Sequence, residues 1–159
     1  MIENLQDGHM IDTMVKEHKH ILSMLDELQN IALQLSDDDQ DNGITLMHRA
    51  NELAAKIIGA EPHHQREEEV LFTAMEELGI SGPTQVMRME HEVMREMKHD
   101  LKSETERSDR DWSVQVAKVC QLISALCSNL RQHIDKEDNI LYPMALQSIT
   151  DAAKWEEMK

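Results

Sequence analysis

One run of side chains constrains the fold of this chain more than any other. Val116, Val119, Ile123, Leu126, Leu130, His133, Glu137, Ile140 and Met144 follow one another in steps of three and four residues. Only an α-helix gathers such positions on one face, and this one would run for about eight turns. Three further stripes share the period. The first comprises positions 11, 14, 15, 18, 21, 22, 25, 28, 32 and 35. The second is Met47, Ala50, Ala54, Ile57, Glu61, His64, Glu68, Leu71, Met75 and Leu78. The third is Met87, His91, Met94, Lys98 and Leu101. With 5 Gly, 3 Pro and 3% aromatics, the composition favours helices over strands.

The breaks between stripes are short. The acidic run SDDDQDNG ends the first, GISGP separates the second from the third, and KSETERSDRD precedes the fourth. Pro62 is expected to kink or restart the second helix, and Pro83 to open the third. Long amphipathic helices on short connections imply antiparallel neighbours. The expected fold is therefore all-α, an up-down-up-down four-helix bundle. All 159 residues are expected to form a single domain, with a core over about 10–147. Residues 148–159 form a C-terminal extension, with a short fifth helix at about 150–158 anchored by Trp155.

The informative residues are those that break the stripes. His18, His64, Glu68, His91, His133 and Glu137 stand where the period calls for apolar side chains. Burying an unpaired carboxylate costs several kcal/mol, so something must neutralise this set. His18 lies about 18 residues before the first connection and His64 about 20 after it, a mismatch of about 3 Å along the helix axes. The third and fourth helices match within about 8 Å. Each His–Glu spacing of four puts both side chains on one face, so one compact cluster is expected.

The pattern is also duplicated. HHQREEEVLF at 63–72 resembles HIDKEDNILY at 133–142, read as the pairs His64–Glu68 and His133–Glu137. KEHKHILSML at 16–25 resembles MEHEVMREM at 89–97. A lone histidine and an HxxxE pair, written twice, would place two metals about a pseudo-twofold axis.

This order of residues resembles the hemerythrin-like, or HHE cation-binding, family of four-helix bundles. The likeness covers about residues 10–147 and rests on EH at 17–18, HHQREEEVLF, EH at 90–91 and HIDKEDNILYP at 133–143. The resemblance implies two iron ions in an oxo- or hydroxo-bridged di-iron centre. His18, His64, His91 and His133 would be terminal ligands, and Glu68 and Glu137 would bridge; manganese or zinc could substitute. Oxygen-carrying relatives have a second histidine one turn after the position of His91, and here that place holds Arg95. They also use an aspartate five residues after the last histidine. Here both Glu137 and Asp138 are on offer, and Glu137 is favoured because it lies in the stripe.

Imidazole and carboxylate donors without thiolate suit iron or manganese. Filling two six-coordinate ions with this set leaves about two positions for water or an exogenous ligand. The expected function is binding, sensing or reaction with a diatomic gas (O2, nitric oxide) or peroxide. The alternative is handling of labile iron as store, donor or sensor, including Fe–S repair, with a redox or iron-acceptor protein as partner. Whether the chain is an enzyme stays open.

Other residues receive blander readings. His20 and His63 adjoin ligand positions but fall off the stripe, so a surface or outer-layer place is expected for both. Glu17 and Glu90 could accept from a ligand's second ring N–H, although exposed charge is the preferred reading. Tyr142 is assigned to packing, and the methionines to filling core space. A formal charge of −15 argues against nucleic acid as partner. No apolar run suits a membrane span, and MIENLQDGHM lacks the basic start and apolar core of an export signal, so a cytoplasmic location is expected. Cys120 and Cys127, two turns apart, are expected to be reduced.

Overall fold

In the computed structural model, which describes residues 4–37 and 40–159, four antiparallel helical arms close into a ring. The first arm is α1 (Met10–Asp37). The second is built from α2 (Gln40–Ile58), α3 (Glu61–Arg66), a π-helical segment π1 (Glu67–Phe72) and α4 (Thr73–Glu77). α5 (Gly82–Glu106) forms the third arm. The fourth joins α6 (Trp112–Lys136), a second π segment π2 (Glu137–Leu141) and α7 (Tyr142–Ser148). A short α8 (Ala152–Glu157) follows. α1 packs against α2 and α6, and α5 packs against the same two. No strand occurs among the described residues, and no helix among them is long and apolar enough to cross a membrane.

Local chemistry accounts for the breaks. α1 ends at Asp37 inside the acidic run, whose residues 38–39 lie outside those described. The second arm turns at Gly59–Ala60 and restarts with Pro62 in the first turn of α3, where its missing N–H costs nothing. α4 ends in a Schellman turn: Gly79 adopts φ +87°, its N–H reaches Glu76 O at 3.0 Å, and Ile80 N–H reaches Met75 O at 3.1 Å. Where α6 begins, Trp112 lies so close over Gly43 that an added Cβ would collide with the indole.

The interior has two apolar clusters with a polar layer between them. One holds Leu25, Leu28, Leu53, Ile57, Ile123 and Leu126. The other holds Ile11, Met14, Leu71, Phe72, Met75 and Tyr142, closed at its end by Trp155 and Met158 of the C-terminal segment. Trp155 is an anchor, as expected: it is buried, and its indole N–H donates to Ile149 O at 2.8 Å. His18 separates Met14 from Ile21 along α1, and His91 separates Met87 from Met94 along α5. Each arm thus leaves one cluster, crosses the polar layer and enters the other.

The stripes read from the sequence hold along α1, α5 and α6, and slip where a π segment intervenes. Beyond Glu137 the expected Ile140 is 58% exposed, while Leu141, Tyr142 and Ala145 are buried. A π turn adds one residue to the helical repeat, so a face followed at steps of three and four comes out one residue early on its far side.

Candidate metal centre

Four histidines line the polar layer, one from each arm, and all are buried: His18 on α1, His63 on α3, His91 on α5 and His133 on α6. They meet in pairs. Nε2 of His18 lies 3.1 Å from Nε2 of His63, and Nε2 of His91 lies 3.0 Å from Nε2 of His133. Two nitrogens bound about 2.1 Å from one ion, at neighbouring coordination positions, stand about 3.0–3.4 Å apart. Both pairs have that spacing.

The outward ring nitrogens explain why the inward ones are free to donate lone pairs. Nδ1–H of His18 donates to Asp138 Oδ1 at 2.7 Å, and that of His91 to Glu68 Oε1 at 2.9 Å. Nδ1–H of His63 donates to Glu17 Oε1 at 3.2 Å, and that of His133 to Glu90 Oε1 at 2.9 Å. A carboxylate on Nδ1 fixes the tautomer that leaves Nε2 as a donor to a cation and raises its basicity. Cations hold three of these carboxylates in turn: Arg66 pairs with Glu17, Lys136 pairs with Glu90 at 2.7 Å, and Arg95 pairs with Glu68 at 3.3 Å.

Two glutamates complete the layer. Glu67 and Glu137 are both fully buried, and all four of their carboxylate oxygens lack a hydrogen-bond partner among the described residues. Glu67 Oε1 lies 2.5 Å from His63 Nε2, and Glu137 Oε1 lies 2.9 Å from His133 Nε2 and 3.4 Å from His18 Nε2. His18, His63, Glu67 and Glu137 form one group that could hold a metal ion; His91, His133 and Glu137 form another, with Glu137 common to both. Buried carboxylates left unpaired cost several kcal/mol each. Cations between the facing lone pairs satisfy the glutamates and the imidazoles together, so the donor set fits a metal centre.

A family model for the hemerythrin HHE cation binding domain matches residues 9–145. The chain belongs to the hemerythrin HHE family. A search of curated proteins found no match to it.

Of the six residues singled out in the sequence, the structure brings four together in the two groups. His18, His91, His133 and Glu137 lie in the two groups. His64 and Glu68 do not, and His63 and Glu67 occupy the positions expected of them. The difference is one of phase, arising at π1: stepping back from Leu71 by three and four arrives at 68 and 64, whereas the extra residue of the π turn puts 67 and 63 on the inner face. The sequence carries a signal for this phase. Aligning HHQREEEVLF with HIDKEDNILY at their ends sets His63 against His133 and Glu67 against Glu137.

The displaced residues keep definite places. Glu68 receives the His91 N–H and is touched by Arg95 Nη2 at 3.3 Å. His64 is buried, stacked on His91 with ring centroids 4.2 Å apart, and its Nδ1 has no hydrogen-bond partner. Burial pushes the His64 and His91 imidazoles well below their ordinary range, and pushes His133 down despite Glu90. All three are therefore neutral at pH 7. Glu17 and Glu90, for which exposed charge was preferred, instead accept from His63 and His133. Tyr142 is fully buried with its Oη 3.4 Å from His18 Nε2, and burial followed by the nearby Glu67 charge keeps the phenol protonated.

Proposed function

We propose that this chain is a di-iron protein whose paired site binds, senses or reacts with a small oxygen or nitrogen species: O2, peroxide or nitric oxide. One observation carries the reading: two imidazole pairs at the spacing of neighbouring ligands share the buried Glu137. A shared carboxylate holds two ions close enough to act on one small ligand, and two redox-active ions supply two electrons together. Imidazole and carboxylate donors suit iron among the first-row metals, and manganese next.

The chain's own residues do the rest. His18, His63 and Glu67 would hold one ion, His91 and His133 the other, with Glu137 between them. The second group has one donor fewer within reach, so an exogenous ligand is favoured on that side. Leu71, Phe72, Leu141 and Tyr142 pack below the layer and keep bulk water from it. Asp138, Glu68, Glu17 and Glu90 hold the imidazole protons on Nδ1 and so keep the rings oriented.

Iron handling is supported by a separate feature. A surface cleft of about 600 Å³ is lined by Lys16, Glu17, His20, Lys56 and His63, so a candidate ligand forms part of its wall. Such an opening would give a chelator or acceptor protein a path to the ion held by His63. Iron content per chain, the near-ultraviolet spectrum of the aerobically purified protein and its rate of peroxide consumption decide between the readings. Two irons with sustained consumption support turnover. Two irons removed by a chelator within minutes, without consumption, support handling. Protein that takes up no iron refutes both.

A further inference from the structure

The internal duplication supplies a control for every residue around the centre. His18 corresponds to His91 and His63 to His133, and equal steps from these pairs match Leu22 with Arg95, Leu25 with Lys98, and Ile134 with His64. Leu25 and Ile134 are buried in the apolar cluster, and Leu22 packs against it. The bundle is therefore satisfied at this place by three aliphatic side chains. On the other side the same three positions carry a lysine, an arginine and a histidine.

Lys98 is the telling member. It is 2% exposed, and among the described residues its ammonium forms no hydrogen bond and no ion pair; the charges acting on it are Glu61, which attracts, and Arg95, which repels. Glu61 Oε1 accepts the Nε–H of Arg95 at 2.6 Å, and its Oε2 turns toward His64 Nδ1 at 3.7 Å, so neither oxygen pairs with Lys98. The Arg95 Nη2 turns toward Glu68 at 3.3 Å, while Nη1 has only Glu92, at 4.0 Å. Burial of an ammonium with no carboxylate in direct contact outweighs the attraction of Glu61 and pushes Lys98 down to about 8. The lysine lines a cavity of about 210 Å³ together with Ile58, Glu61, Arg95 and His99. That volume lies below the usual range for drug-sized ligands, about 300–1,000 Å³.

We infer that this cavity is a binding site for a small planar oxyanion of the carboxylate or nitrate class, held between the Lys98 ammonium and Nη1 of Arg95. A water could accept from either donor, but only an anion supplies the missing charge. A cation is disfavoured, since Glu61, the one carboxylate in the wall, is engaged by Arg95. The site adjoins the second donor group, because His64, which feels the Lys98 charge, stacks on His91. An anion here would act on the His91–His133 side of the centre more than on the other. The inference rests on the cavity and its cations, and it stands whether or not the di-iron reading does.

The test is the thermal stability of the full chain, as purified, in increasing sodium formate with ionic strength held constant by sodium chloride. A ligand of the native state raises Tm in a saturable way. Formate should raise the wild-type Tm above the chloride control. Lys98→Leu, which installs the residue of the other half, should weaken the fitted formate affinity at least tenfold at unchanged iron content. Should Lys98→Leu fail to fold, Arg95→Leu is the second variant, and the same loss is expected. Formate bound at the metal would persist in both variants. An equal gain in wild type and variant, or no gain in wild type beyond chloride, overturns the site.

Discussion

The two halves of the bundle meet the same demand with different surroundings. α1 and the second arm supply His18, His63 and Glu67; α5 and the fourth arm supply His91, His133 and Glu137. Each of the four inward-facing histidines has an outward carboxylate, and each glutamate opens a π segment, Glu67 in π1 and Glu137 in π2. What differs is one layer further out. Around His91 lie His64 of α3 and Arg95 and Lys98 of α5, where the equivalent positions are Ile134 of α6 and Leu22 and Leu25 of α1. The repeated part is therefore the donor set of the polar layer, and the unrepeated part distinguishes one side from the other.

The strongest way to break the comparison is at the residue both groups share. Glu137→Ala should drop iron from two per chain toward none, because each group loses a donor. Metal analysis of protein purified beside wild type reads this directly, and retention of two irons would show that Glu137 does not link the groups. Glu67→Ala should remove about one iron and leave the other. Its neighbour makes the sharper contrast. Glu68→Ala takes away the acceptor of the His91 N–H and the partner of Arg95 Nη2 but no member of either donor group, which should weaken metal binding by about 10- to 100-fold without abolishing it. If Glu68→Ala instead empties the site while Glu67→Ala does not, the assignment from the structure is one residue out.

That contrast bears on what could be read without the structure. The four-helix plan was legible because its stripes run unbroken for several turns in α1, α5 and α6, and because Pro62, Gly79 and Pro83 stand where helices restart or stop. His18 and His91 were legible for the same reason, each lying between apolar neighbours at regular spacing. His63 and Glu67 were not, because π1 changes the phase of the face, and hydrophobic periodicity carries no mark of a π turn. Ile140 was misplaced by π2 in the same way. The internal repeat survives such slips, since both copies carry the same extra residue, and it is the more robust guide to the site. By spacing alone Lys98 is simply part of a stripe; its unpaired state follows from Glu61 turning to Arg95, a contact no spacing foretells.

Acid should separate folded from unfolded protein chiefly through the His91–His133 side of the polar layer, where His64 stacks on His91. His64, His91 and His133 are held below the ordinary histidine value of 6.5, burial being the largest cause in each. A group depressed in the folded state costs nothing while both states are neutral. Below about pH 6.5 the unfolded chain takes up protons that the folded chain refuses, and stability falls. The slope is about 1.4 kcal/mol per pH unit for each such histidine. Urea unfolding of chelator-treated protein from pH 7.5 to 5 should show this loss beginning near 6.5. A flat profile would mean that these rings are protonated in the folded state.

The smallest effect is expected where the halves differ by a single oxygen. Phe72 and Tyr142 are equivalent positions, both fully buried, and each ring stacks on a ligand histidine: Phe72 on His91 at 5.8 Å, Tyr142 on His18 at 5.6 Å. Stacking fixes the imidazole plane on both sides, so the ring is the repeated element and the hydroxyl the addition. Tyr142→Phe removes a neutral phenol whose oxygen is 3.4 Å from His18 Nε2, a long contact. Losing one such bond costs about 0.5–1.5 kcal/mol, while the apolar cluster around the ring is untouched. Two irons should be retained, with Tm lowered by a few degrees or less. Loss of iron from the variant would instead make the Tyr142 oxygen part of the first group's donor set. The two sides would then differ in their ligands as well as in what surrounds them.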